Sequence, residues 1–92
     1  MLTTEDRLAH VVMWIESVGF SQMNFYGEVV FFHSSRKMQI CLRNNGHLFH
    51  CITYRKASPE SRVFTPVSSK SVKLSDHTES DLLILLHKAT SK

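Results

Sequence analysis

Glycine and proline are scarce in this sequence. Its 92 residues include three glycines and two prolines. Disordered and low-complexity chains are rich in these residues, so both classes are excluded. At this length, 42% hydrophobic residues are enough for one small core. The sequence therefore predicts a single domain over residues 1–92.

Cysteines and long apolar runs are also few. Two cysteines cannot build a disulfide framework, and we expect both to be free thiols. No apolar run approaches the roughly 20 residues that a membrane helix needs. The first residues, MLTTEDR, carry acids where a signal peptide carries bases. These features predict a cytoplasmic protein with no membrane association.

Recognisable catalytic apparatus is missing too. The sequence contains neither a glycine-rich phosphate loop nor a G-x-S-x-G motif. Five of its eight acids fall at the predicted starts of helices, and the other three are scattered. Paired-carboxylate catalysis needs acids that converge in one cleft. We therefore expect no enzyme activity, no catalytic residue, no cofactor and no small-molecule substrate.

Two helices are predicted, one near each end of the sequence. The first covers residues 3–19, with Thr3 or Thr4 as its cap, an apolar stripe facing one side, and Gly19 as its stop. The second begins at DHTE, residues 76–79, with Asp76 as cap, and ends near Ala89.

Alternating apolar residues between the helices predict antiparallel strands. The first covers residues 23–33 with Gly27 as a bulge or break, and two more follow, joined by two-residue turns at Ser34-Ser35 and Asn45-Gly46. Together these turns pair Phe31 with Met38, and Leu42 with Phe49. They place one apolar set on a single face: Val29, Phe31, Met38, Ile40, Leu42, Phe49 and Cys51. A three-residue loop, 44–46, is the alternative, and it would flip the third strand.

The segment 57–70 holds both prolines and several serines. It predicts a flexible loop with a short edge strand at 63–65 that Pro66 ends, followed by a last strand at 71–74. The resulting fold class is α+β, in two layers and in the order α-β-β-β-β-β-α. It has an antiparallel meander sheet of four to five strands, with the N-terminal and C-terminal helices packed on one face.

The stretch CLRNNGHLFHC brings two cysteines and two histidines within eleven residues, which raises the question of a metal site. In the preferred register Cys41 lies across from His50, Cys51 points into the core, and His47 sits at the turn. A structural zinc ion needs four converging ligands. With His33 remote, these side chains do not converge, and we expect no metal.

Positive charge is concentrated in the sheet half of the sequence. Residues 36–73 contain eight Lys or Arg and one acid, a net +7, whereas the rest contains three bases and seven acids, a net −4. The face opposite the apolar one is predicted to mix aromatic, apolar and basic side chains. The partner-binding residues predicted from this pattern are Phe32, Lys37, Arg43, His50, Ile52, Tyr54, Arg55 and Lys56.

Such a face predicts a small non-catalytic interaction module, an adaptor or inhibitor that binds an acidic protein surface. The alternative is a protein that binds single-stranded RNA or DNA with the same face. This general character suits a small accessory protein of the phage type. The run LLILL, residues 82–86, is apolar on all sides, so Leu83 and Ile84 are candidates for a homodimer contact.

Overall fold

The computed structural model describes residues 3–91, and within this range it has two helices and five strands. The elements, in chain order, are α1 (Thr4–Ser17), β1 (Phe20–Phe25), β2 (Glu28–His33), β3 (Met38–Arg43), β4 (Leu48–Lys56), β5 (Phe64–Lys73) and α2 (Thr78–Thr90). All strand pairs are antiparallel, and the sheet order β1-β2-β3-β4-β5 follows the chain. This is the predicted α+β meander.

The core lies between the sheet and the two helices. Val11 and Ile15 of α1 and Leu82 and Leu86 of α2 pack in one cluster with the predicted apolar sheet face. Five members of that face are buried there, Phe31, Met38, Ile40, Phe49 and Cys51, and Val29 and Leu42 pack against them. The alternation of side chains along a strand therefore predicted the residues of this face correctly.

The N-terminal helix begins and ends where its sequence signals indicate. The Thr3 hydroxyl accepts a hydrogen bond from the Asp6 N–H at 3.1 Å, so Thr3 is the cap. The helix ends at Ser17, and Gly19 follows with a φ of 106°. This left-handed conformation favours glycine, and it turns the chain into β1.

The Asn45-Gly46 turn was predicted correctly. Asn45 (φ 55°, ψ 34°) and Gly46 (φ 89°) have type I′ geometry, and the His47 N–H donates to the Asn44 carbonyl at 3.1 Å. The turn pairs Leu42 with Phe49 and Ile40 with Cys51. The alternative three-residue loop is therefore wrong.

The predicted single strand over residues 23–33 is wrong. The chain instead folds back at Tyr26 (φ 52°) and Gly27 (φ 80°), and Phe25 pairs with Glu28 across this two-residue turn. A type I′ turn needs positive φ at both positions, which glycine adopts readily and tyrosine rarely. Gly27 thus marks a hairpin, and β1 extends back to Phe20 through residues that were given no strand.

The two-residue turn at Ser34-Ser35 is also wrong. Phe31 pairs with Ile40, two residues away from the predicted Met38, because residues 34–37 all belong to the connection. His33 holds this connection: its Nδ1 accepts from the Ser35 N–H at 3.1 Å, and the Ser35 hydroxyl accepts from the Lys37 N–H at 3.2 Å. A shift of two residues leaves every side chain on its predicted face.

The predicted loop 57–70 is shorter in the structure. The loop ends before Phe64, and one ten-residue strand, β5, replaces the two short strands at 63–65 and 71–74. Pro66 is tolerated because β5 is an edge strand, where one N–H of every pair faces away from the sheet. An irregularity in the pairing between Thr53 and Tyr54 absorbs the extra residue Val67.

Asp76 does not cap the second helix, as had been predicted. The helix begins at Thr78 after His77, and no side chain caps it. The buried Thr78 hydroxyl instead donates toward the Lys73 and Ser75 carbonyls, at 2.9 Å each, and ties the helix start to the end of β5. Glu79 pairs with Arg7 of α1. Neither of the helices in residues 3–91 has the length and apolar character needed to cross a membrane.

Candidate partner-binding surface

Both helices pack on one face of the sheet, and the opposite face is here called the outer face. Alternation along the paired strands assigns it these residues: Ser21, Met23, Phe25, Glu28, Val30, Phe32, Gln39, Cys41, Arg43, Leu48, His50, Ile52 and Tyr54. Val30 and Cys41 are each 4% exposed, yet they are not members of the core cluster. Neighbouring side chains on the outer face must therefore shield them, which makes the centre of this face apolar and closely packed.

Hydrogen bonds hold the polar side chains of the outer face in place. The Tyr54 hydroxyl donates to Gln39 Oε1 at 2.8 Å, and Gln39 Nε2 donates to Cys41 Sγ at 3.2 Å. Partial burial raises the pKa of Tyr54, and the neighbouring Cys41 raises it further. Tyr54 therefore stays neutral at physiological pH and presents a fixed ring.

Three aromatic rings meet at one end of the outer face. Phe32, Tyr54 and Phe64 line a shallow depression, the aromatic hollow, together with Ser21, His33, Ser34 and Arg36. Lys56 stands opposite Phe64 in the β4–β5 pair, and its Nζ lies 5.6 Å from the centre of the Phe64 ring. This is a cation–π distance, so a positive charge is held beside the hollow.

A second depression, the basic cleft, opens at the same end of the molecule. It lies between the end of β4, the following loop and the C-terminal part of α2, and Tyr54 borders both depressions. Four bases line it: Lys37, Arg55, Lys56 and Lys88. No carboxylate is among its described lining residues, whereas Thr53, Ser58, Ser68 and Ser91 supply hydroxyl groups.

Counter-ions for these bases are missing within residues 3–91. The two ion pairs found there join Arg7 to Glu79 and Arg43 to Glu28. Both lie elsewhere in the molecule, and the second neutralises the one Arg on the outer face. The potential at the cleft is therefore positive, which attracts anionic groups.

The predicted partner-binding residues divide between these surfaces. Phe32, His50, Ile52 and Tyr54 lie on the outer face, with Arg43 at its rim in contact with Glu28. Lys37, Arg55 and Lys56 line the basic cleft. By strand alternation Arg55 shares the side of Thr53, which faces the helices, so it lies off the predicted face.

Sequence reasoning missed Arg36, Phe64 and Lys88. Phe64 had been placed in a short edge strand that ended at Thr65, and its pairing with Lys56 shows only in the fold. Lys88 reaches the cleft because α2 runs toward this end of the sheet. Each comes from a segment whose position depends on tertiary packing.

The cysteine and histidine cluster is divided between the turn and the two faces of the β3–β4 pair. Cys41 and His50 are cross-strand partners, as predicted. Within residues 3–91, no three His, Cys, Asp or Glu side chains are placed to share an ion. Both cysteines are free and buried.

The buried Cys51 thiol predicts a loss of stability in alkali. Burial raises its pKa from 9.0 to about 12, and the nearby Cys41 adds to the shift. In the unfolded chain the thiol ionises near its ordinary pKa, so unfolding releases a proton between pH 9 and 12. The free energy of unfolding should therefore be unaffected below pH 9 and then fall by up to about 1.4 kcal/mol per pH unit.

Chemical denaturation of wild type and Cys51→Ala at several pH values measures this effect. Other groups titrate in the same range, so the quantity of interest is the difference between the two proteins. The variant should be less stable at neutral pH, and the gap should narrow as the pH rises toward 12. If the difference in the free energy of unfolding between the two proteins were the same at every pH, the prediction would be wrong.

The homodimer candidates Leu83 and Ile84 are both exposed on α2. They lie away from Leu82 and Leu86, which face the core. Their role in association stays a prediction.

We found no match for this protein among models of protein families, curated proteins or solved structures. Its function is therefore inferred from the chemistry of its own surface.

Proposed function

We propose that this protein is a small non-catalytic interaction module that binds an acidic segment of a partner protein at the aromatic hollow and the basic cleft. One observation carries the proposal. Two adjoining depressions bring together three aromatic rings and five bases, and no acid is among their described lining residues. Aromatic and Arg anchors with surrounding charge are the composition of protein-binding hot spots.

The aromatic hollow supplies the apolar part of the contact. Tyr54 is fixed by its bond to Gln39, and Phe64 is held against Lys56, so little side-chain entropy is lost when a ligand packs on them. An aliphatic or aromatic side chain of the partner would bury the exposed edges of these rings. This contact provides affinity.

The basic cleft supplies the charge complementarity. Lys37, Arg55 and Lys88 border it without a carboxylate among its described lining residues, so an Asp or Glu of the partner would complete ion pairs there. Charges of this kind steer association and select the partner more than they add affinity. The expected ligand is a peptide segment in which acids follow one large apolar residue.

Selection from a random peptide library displayed on phage tests the proposal. Binders should be enriched in Asp and Glu next to a large apolar residue. The dissociation constants of the selected peptides are then measured by fluorescence anisotropy. Phe64→Ala should weaken binding by about thirtyfold, the size of a hot-spot loss of roughly 2 kcal/mol. Lys88→Glu should weaken it by reversing a charge in the cleft.

Lys70→Glu is the matched control, because it makes the same charge change at an exposed position outside both depressions. It should leave binding nearly unchanged. The proposed site would be refuted if the selected peptides were not enriched in acidic residues, or if Lys70→Glu and Lys88→Glu weakened binding equally.

A single-stranded nucleic acid is the second candidate ligand. The observation that favours it is the set of aromatic rings beside Arg36 and Lys56, because bases stack on such rings. The centre of the outer face argues against it. That region is apolar, and its Arg43 is paired with Glu28, so no continuous track of bases follows the sheet.

Anisotropy with labelled single-stranded and duplex oligonucleotides separates the two candidates. A nucleic-acid ligand requires affinity that falls steeply as salt rises, by about one counterion for each neutralised phosphate. A cytoplasmic location and the phage-type accessory character stay predictions, and cell fractionation tests the first.

A further inference from the structure

The two edges of the sheet differ in how they are protected from association. The β5 edge carries Pro66, Lys70 and Lys73 and an irregular pairing near Val67, all of which discourage another strand from adding. The β1 edge has the sequence FSQMNF, without a charge, a proline or a bulge in its pairing with β2. An exposed, uncharged edge of this kind is a site of strand association.

The backbone of β1 offers a regular set of groups for such a contact. The Ser34 N–H donates to the Gly19 carbonyl at 3.0 Å, which fixes the phase of the ladder. Bonds to the neighbouring strand then alternate, so Ser21, Met23 and Phe25 turn their backbone groups toward β2. The backbone groups of Phe20, Gln22 and Asn24 face away from the sheet.

The side chains of β1 are self-complementary. Met23 and Phe25, on the outer face, are 50% and 57% exposed, which is high for large apolar side chains. Gln22 and Asn24 are exposed on the other face. Over residues 22–25 each face of the strand thus presents one kind of chemistry, apolar on the outer side and amide on the helix side.

We propose that β1 pairs with β1 of a second copy of this chain, antiparallel about a two-fold axis at Met23. In this register Gln22 lies opposite Asn24 of the second copy, and these are the residues whose backbone groups face outward. Met23 lies opposite its own equivalent, and Ser21 lies opposite Phe25. With this axis, backbone bonds form at the outward-facing residues, and like side chains meet at the centre of the contact, amide with amide at positions 22 and 24 and Met23 with Met23.

The dimer would join two sheets into one continuous sheet, and the outer faces of the two copies would then lie side by side. The inference is independent of the proposed function, because it rests on the backbone of β1 and on Gln22, Met23 and Asn24, which line neither depression. Ser21 is the one contact residue that also lines the aromatic hollow. This dimer differs from one formed through Leu83 and Ile84 of α2. That contact would involve side chains alone and no backbone hydrogen bonds between the two copies.

Cysteine cross-linking tests the register. In a non-hydrogen-bonded antiparallel pair the two Cα atoms lie about 4.5 Å apart, within the range that a disulfide spans. Met23→Cys should therefore form a covalent dimer under mild oxidation. Ser21→Cys is the matched control, on the same strand and face. Its equivalents would lie four residues apart, about 13 Å, and should stay unlinked. The native cysteines are buried, so wild type should also stay unlinked.

Sedimentation equilibrium of the protein without added cysteines tests the association itself. Wild type should sediment with twice the monomer mass at high concentration. Met23→Lys, which opposes two like charges on the axis, should sediment as a monomer, and Ile84→Lys should remain a dimer. A monomeric wild type, equal cross-linking at positions 21 and 23, or a dimer lost only in Ile84→Lys would overturn the proposal.

Discussion

Gly46→Ala should destabilise the protein by about 2–4 kcal/mol, measured as the free energy of unfolding in urea. Two effects add at this position. Gly46 has a φ of 89°, which an L residue adopts at a cost, and a Cβ there would overlap Leu8 Cδ2 of α1 and lie 3.1 Å from Leu8 Cδ1. The turn and the helix are packed so closely that the Leu8 side chain would have to move to make space for the added methyl group.

Gly27→Ala is the control that separates these effects. Gly27 has a similar φ of 80°, yet no atom lies within 4 Å of the position of its Cβ. The free energy of unfolding of Gly27→Ala should therefore fall only by the cost of a positive φ at an L residue, about 1–2 kcal/mol. The packing part should shrink when Gly46→Ala is made in a Leu8→Ala background, because the overlapping side chain is then gone. Equal losses for the two glycines would show that contact with Leu8 has no effect.

Arg7→Ala should cost about 2–3 kcal/mol in the free energy of unfolding. Arg7 Nη1 donates to Glu79 Oε2 at 3.0 Å, Nη2 binds the other carboxylate oxygen, and Nε donates to the Ser75 carbonyl at 2.9 Å. The two charged side chains are 16% and 29% exposed. Removal of the guanidinium leaves the partly buried Glu79 carboxylate without its partner, and the Ser75 carbonyl keeps only its bonds from Thr78.

The pair between Arg43 and Glu28 is the natural control for this prediction. Its side chains are 47% and 49% exposed, and its bond is a single one of 3.1 Å. Arg43→Ala should therefore cost less than about 1 kcal/mol. A double variant, Arg7→Leu with Glu79→Leu, should recover most of the stability that Arg7→Ala loses, since no unpaired, partly buried charge remains. If the double variant lost as much stability as Arg7→Ala, the cost of Arg7→Ala would not come from the unpaired Glu79 carboxylate.

The parts of the fold that could be predicted from the sequence are those with local causes. Thr3 caps α1 through a bond to a residue three positions away, and Asn45-Gly46 forms its turn from its own backbone preferences. The turn at Tyr26-Gly27 was missed because tyrosine at positive φ is uncommon, and only pairing between β1 and β2 holds it there. Pro66 indicated an edge strand correctly, but it was taken as the end of that strand, because the irregular pairing with which β5 continues past it is a tertiary feature.

The candidate site was predictable to a smaller extent. The charge excess of residues 36–73 and the alternation of β4 indicated Tyr54 and Lys56. Their grouping with Phe64 and Lys88 depends on the position of β5 and on the direction of α2. These are tertiary relations, which a pattern of period two or 3.6 does not encode.

The chain order of the strands has a consequence for the folding pathway. Each strand pairs with its neighbour in sequence, so every connection within the sheet is short and closing it costs little chain entropy. The contact between α1 and α2, by contrast, joins opposite ends of the chain and closes a loop of more than sixty residues. We therefore expect the hairpins to form early, and the docking of the two helices, with the pairing of Arg7 and Glu79, to be a late event in folding.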